Sequence, residues 1–274
     1  MLWENLTVLQ FKQAVADTGV CIIPLGVLEK HGNHLPLGTD MFTARAVCQA
    51  AAENEPAIVF PYYFMGQISE ARHFPGTIAV SHQSMMQNLL EMCDEIARNG
   101  LKKILIMSGH GGNNSFLPFF AQQFTHTERD YCVYTGFVGN YSGAQRKQIQ
   151  EKARKQDLGA HAGILETSMI MHLCPDLVQM QDQDPTEGES LGRLNNIASH
   201  NLSTGFNWYA SFPAHFAGDP TGASGELGKM VFDMAVSNVT AQIKAIKEDD
   251  VSPRLIKEFA EYGKNPLATP SRPL

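Results

Sequence analysis

The feature that most constrains this chain is a repeated order in which a short apolar run leads into a loop and then a helix-patterned stretch. Val20–Leu25 (VCIIPL) reads as a buried strand and runs straight into a loop rich in Gly and His. Residues 39–52 follow as a helix, with Thr39 or Asp40 at its N-cap. Residues 57–60 give a second strand. Residues 81–99 form the best-marked helix, capped by Ser81 and closed by Gly100 at C′. Its Met85, Leu89, Met92 and Ile96 recur at spacings of three and four and make one buried stripe. A strand at 103–107, a glycine turn, a helix at 115–127 and a strand at 131–138 complete the series. Such an order specifies the α/β class, with βα units on a mostly parallel sheet. Ligands of these sheets bind beyond the carboxyl ends of the strands. The loops richest in His and acidic residues, 29–40 and 108–114, each follow such an end.

Composition narrows the function classes. The chain has 274 residues and a net charge of −7, from 21 Lys plus Arg against 28 Asp plus Glu. Nucleic-acid backbone binding would want a basic stripe, so no nucleic-acid partner is expected. No apolar run reaches the ~18 residues of a membrane span, and the N-terminus lacks the basic and apolar regions of a signal peptide. The five cysteines are widely spaced with no CxxC pair, as in a cytoplasmic protein with buried, reduced thiols. Charged residues make up only 18%, and 23 are Gly, a balance that fits a chain with extensive subunit contacts. Residues 143–157 read as a solvated basic helix. Residues 182–189 form an acidic loop without the glycine position of an EF-hand. With no repeat or linker, residues 1–274 are expected to form a single domain, with 265–274 as a C-terminal arm.

Three clusters carry chemistry. In an extended segment residues i and i+2 face the same way, so Glu29 and His31 project together from the first strand end. Asp40, at the start of the next helix, can swing back onto the same spot. Two carboxylates and an imidazole make an N/O donor set suited to Zn, Mn or Fe, and Asp40 is the natural bridge between two ions. His110 lies in the glycine turn Ser108-Gly-His-Gly-Gly-Asn113 after the next strand, where free backbone N–H groups can also hold an anion. His161 and Glu166 are five apart, about 140° on a continuous helix. They share a site only if His161 precedes the helix proper, which is the expectation. His34, His73, His82, His126, His172, His200 and His215 are assigned structural roles, with His34 and His73 adjoining the site. Gly188-Glu-Ser-Leu-Gly192 matches a nucleophile elbow in form, but polar residues precede it instead of a buried strand. Tyr62, Tyr63, Phe64, Phe74 and Trp208 are the aromatic candidates for a substrate pocket.

Several stretches together resemble the creatininase (creatinine amidohydrolase) family. They are Glu29-Lys-His-Gly-Asn-His-Leu-Pro-Leu-Gly-Thr-Asp40, His73-Phe-Pro-Gly-Thr77, Ser108-Gly-His-Gly-Gly-Asn113 and His161-Ala-Gly-Ile-Leu-Glu-Thr-Ser168, with a weaker match at Gly218-Asp-Pro-Thr-Gly-Ala-Ser224. The resemblance implies a three-layer α/β/α sandwich and homo-oligomers, often hexamers. It also implies two divalent metal ions per subunit (Zn, Mn or Fe) that activate a bridging water. The implied reaction is hydrolysis of a non-peptide C–N bond in a small molecule, commonly a cyclic amide or formamide. Ring-opening of a cyclic ketone, trimming of a modified peptide and non-catalytic ligand binding are the alternatives. Carried over, Glu29, His31, Asp40 and His110 are metal ligands. Gly112 stands where creatininase itself has a ligating Glu, so Glu166 is assigned as the replacement. The same departure argues against creatinine itself as substrate. His161 then orients substrate or shuttles a proton, so His161 and Glu166 are the expected catalytic pair.

Overall fold

The computed structural model describes residues 1–270. Four strands, β1 (Val20–Leu25), β2 (Ile58–Val59), β3 (Lys103–Ser108) and β4 (Cys132–Phe137), form a parallel sheet in the order β2-β1-β3-β4. Leu25 pairs with Ser108, and Ser108 with Phe137, so three strands end on one level rim. Ten α-helices surround the sheet among the described residues: α1 (Val8–Thr18), α2 (Thr39–Asn54), α3 (His82–Arg98), α4 (Asn113–Gln122), α5 (Gly143–Ala153), α6 (Ile164–Leu173), α7 (Asn195–Ala198), α8 (Asn207–Ser211), α9 (Gly225–Glu248) and α10 (Val251–Lys264).

The sheet's alternation divides its side chains between two cores. Cys21, Ile23, Leu25, Ile104 and Ile106 pack against residues of α1, α3 and α4, including Ala14, Met85, Leu89, Ile96 and Phe120. Val20, Ile22, Leu105 and Met107 face the other way, onto Val47, Cys48 and Ala51 of α2 and Ala235, Val239 and Ile243 of α9. Both faces are covered, which is why the strands read as continuous apolar runs. The result is the expected three-layer α/β/α arrangement.

Differences from the expectations are local. Ser81 caps α3 as read, but the helix expected at 115–127 begins at Asn113 and ends at Gln122 in a short 3-10 turn. The solvated helix of 143–157 stops at Ala153. Helices α1, α9 and α10 lie outside the strand-loop-helix series and were not anticipated. The expected arm carries a 3-10 turn at Pro266–Ala268, and residues 271–274 lie outside the described part. Four cysteines are buried and all five are free, as read. Among the described residues no helix is long and apolar enough to cross a membrane.

Candidate metal centre

The first turn of α2 is wedged between the ends of β1 and β3, and two glycines make room for it. A Cβ at Gly26 would stand 2.5 Å from the Met41 nitrogen, and one at Gly109 would stand 2.3 Å from the Asp40 carbonyl oxygen. Neither Thr39 nor Asp40 caps the helix, because Gly38 occupies the N-cap. The Thr39 hydroxyl donates back to the Pro36 carbonyl at 2.8 Å, and the Asp40 carboxylate turns to the histidines. A residue spent on the site is lost to capping.

Glu29, His31, Asp40 and His110 come together beyond the strand ends, all buried. His110 Nε2–H donates to the Gln67 carbonyl at 2.8 Å. Its Nδ1 lies 2.7 Å from Glu29 Oε1 and 3.0 Å from Asp40 Oδ2. These contacts lack hydrogen-bond geometry, so Glu29 Oε1 and Asp40 Oδ2 are buried without a partner. On the other side of Asp40, His31 Nε2 lies 3.1 Å from Oδ1 and 4.0 Å from Glu166 Oε2. Orphaned buried carboxylate oxygens are costly unless a cation meets them. Three donor triads result, Glu29/His31/His161, Glu29/Asp40/His110 and His31/Asp40/Glu166, and the last two meet at Asp40. The donor chemistry, carboxylate oxygens with imidazole nitrogens, fits Zn or Mn.

Burial opposes a charged His31, but the Asp40 carboxylate, helped by Glu29 and Glu166, overcomes it and lifts the imidazole to about 10. Burial is likewise outweighed at His110, held well above its usual range by Glu29 and Asp40. Glu29 stays well below the usual carboxylate range despite burial, because His110 and His215 contact it. Burial lifts Glu166 to about 7. His161 is kept neutral, first by burial and then by the neighbouring His31 and His215.

His161 does precede the helix, as read. Ala162 takes a left-handed turn (φ 54°), and α6 starts at Ile164. His161 Nε2–H donates to the Lys30 carbonyl at 2.8 Å and lies 3.8 Å from Glu29 Oε2, while Glu166 accepts the Ala162 N–H. The glycine-turn residues Ser108 and Asn113 hold the His110 loop: Asn113 Oδ1 takes the Gln67 N–H at 2.9 Å and Nδ2 donates to Ser108 Oγ at 3.1 Å. Gly112 is enforced, since a Cβ there would fall 2.3 Å from His110 Nε2. His34 is structural, as expected: it is buried and bonded to the Thr167 hydroxyl at 2.9 Å. His73 is exposed and bonds the Pro213 carbonyl. Ser190 is exposed and follows a 3-10 turn at Pro185–Gly188, so no elbow exists.

One structural assignment needs correction. His215 is part of the cluster: its Nε2–H donates to Glu29 Oε2, and its Nδ1 accepts Trp208 Nε1–H at 2.9 Å. Trp208 therefore fixes the His215 tautomer and leaves the N–H aimed at Glu29. The weak sequence match at Gly218 lay three residues from His215 and was the available signal. The Ala217 and His161 backbones pair in both directions at 3.0 Å and bring that loop to the site. Of the other aromatic candidates, Tyr63 is core, Tyr62 is exposed beside Arg45, and Phe74 lies under Lys30. A cavity of about 230 Å³ reaches Asp40, His161 and Glu166.

An α/β sandwich with a buried carboxylate–histidine cluster able to hold two cations defines the class. The family model described as creatinine amidohydrolase matches residues 4–243, and the chain belongs to the creatininase family. It is 27% identical over 267 residues to the creatinine amidohydrolase of Pseudomonas putida, covering 88% of this chain and 95% of that one. It is 28% identical over 234 residues to the mycofactocin precursor peptide peptidase of Mycolicibacterium smegmatis, covering 83% and 85%. A creatininase variant complexed with creatine superposes with a TM-score of 0.76 at 23% identity, covering 90% of this chain and 99% of that one. A Zn-Zn creatininase form (TM-score 0.73, 22% identity, 89% and 97%) and a Mn form (0.71, 22%, 89% and 97%) share the fold. The chain is thus a hydrolase-family member whose solved relatives include zinc and manganese forms.

Proposed function

We propose that this chain is a metal-dependent amidohydrolase that cleaves a non-peptide C–N bond, in a cyclic amide or a formamide, of a small molecule. The observation that carries the reading is Asp40, whose two oxygens face different donor groups, Oδ2 toward His110 and Oδ1 toward His31. Glu29, Asp40 and His110 would hold one divalent cation, and His31, Asp40 and Glu166 the second. Bound there, the cations would polarise the substrate carbonyl and make water acidic enough to react near neutral pH. His161, neutral and buried beside the cavity, can take a proton from the attacking water and return it to the leaving nitrogen. With its Nε2–H tied to the Lys30 carbonyl, the proton must be carried on Nδ1. Glu166, the partly exposed carboxylate of the cluster, faces the cavity and can assist the same transfer.

Similarity to the mycofactocin precursor peptide peptidase supports a second reading, trimming of a short peptide. Chelation followed by zinc or manganese addition tests the common core. Activity on formamides and cyclic amides should vanish and return. Full activity in thoroughly metal-stripped protein contradicts it, and turnover of peptides with none of small amides favours the second reading.

A further inference from the structure

The cavity that reaches the cluster is also lined by Arg146, from the second turn of α5. Lys147, Lys152 and Lys155 along the same stretch face Glu151, Glu226 and Asp219. Arg146 is itself exposed, and among the described residues its guanidinium makes no hydrogen bond or ion pair. Tyr141 lines the same space, and Phe137, Leu158 and Met169 make much of the rest apolar. At about 230 Å³ the cavity falls below the ~300–1,000 Å³ of drug-sized sites, so it suits a small metabolite. An exposed arginine fork without a partner, at the edge of a small and largely apolar space, matches a carboxylate in two-point geometry.

We propose that this cavity is the substrate pocket and that Arg146 binds a carboxylate of the substrate. The substrate class is then a small amide that also carries a carboxylate, such as an N-acyl amino acid or a cyclic amide acid. The hydrolytic part rests on the amidohydrolase reading; the binding part does not. Zinc-loaded wild type, Arg146→Gln and Arg146→Lys are titrated calorimetrically with two matched pairs. The pairs are N-formylglycine against N-propylformamide, and dihydroorotate against dihydrouracil. Wild type should bind at least one acid roughly tenfold or more tighter than its neutral partner. Arg146→Gln should erase that preference without changing affinity for the neutral compound, and Arg146→Lys should restore part of it. Absence of acid binding, equal affinity within both pairs, or a preference that survives Arg146→Gln overturns the proposal. Selective binding without hydrolysis upholds the pocket and contradicts the amidohydrolase reading. Hydrolysis of both members with equal affinity does the reverse.

Discussion

Glu29 meets two histidines in opposite ways. Its Oε1 lies 2.7 Å from His110 Nδ1 without a hydrogen bond, whereas its Oε2 receives the His215 Nε2–H. The outer partners set the difference. Gln67 takes the His110 Nε2–H and leaves Nδ1 to face the carboxylates, while Trp208 occupies His215 Nδ1 and directs its N–H inward. On the proposed reading, one imidazole would donate a lone pair to a cation once its Nδ1 is free of a proton, and the other holds the carboxylate in place. Which histidine serves as a ligand is decided a shell away from the centre.

The contrast can be broken at Asp40, which the Glu29/Asp40/His110 and His31/Asp40/Glu166 triads share. Asp40→Asn should lower turnover by at least ~10³-fold, since both cations lose a ligand. Steady-state kinetics with metal analysis checks it. His34 and His31, three residues apart, sharpen the same point about partners. Burial, reinforced by His31, lowers His34 to about 4, whereas carboxylates lift His31 to about 10. The unfolded chain, with an ordinary imidazole near 6.5, therefore binds the His34 proton first as pH falls. Its stabilising contribution is complete above pH 6.5 and lost by about pH 4, amounting to about 3 kcal/mol. His34→Gln should flatten that acid limb in urea midpoints measured from pH 7 to 4. The smallest effect is expected at the outermost partner. Trp208→Phe keeps the ring but removes the N–H that fixes His215, and should cost ~10–100-fold in zinc affinity or kcat. An unchanged affinity and kcat would remove His215 orientation from the account.

Local pattern made much of this legible. The strand end at Leu25, the β3 end to within one residue of Ser108, the α3 stripe and the cap at Ser81 follow from short-range sequence, and so do the donors that trail β1 and β3. The placement of His161 before α6 followed from a geometric requirement, that residues five apart must meet. What stayed hidden depends on distant partners. His215 reaches Glu29 across 186 residues, through a loop with a left-handed His215 (φ 53°) and a backbone pairing to His161. The cap at α2 was misread because Asp40, a good N-cap by type, is diverted to the cluster. Arg146 is solvated, as the composition of its stretch implied, and only its place beside the cavity was not legible there.

The central claim is that two cations share Asp40. Zinc titration of metal-stripped protein at pH 7, in buffers of different ionisation enthalpy, tests it most directly. His31, lifted to about 10, is protonated in the metal-free cluster at this pH, and His110 is shifted in the same direction by Glu29 and Asp40. Zinc must displace the His31 proton, so two zinc ions should bind per chain with release of at least one proton, and that share falls as pH rises through 10. In Asp40→Asn the two-zinc stoichiometry should be lost. No zinc uptake, uptake without proton release, or an unchanged two-zinc stoichiometry in Asp40→Asn would contradict the account.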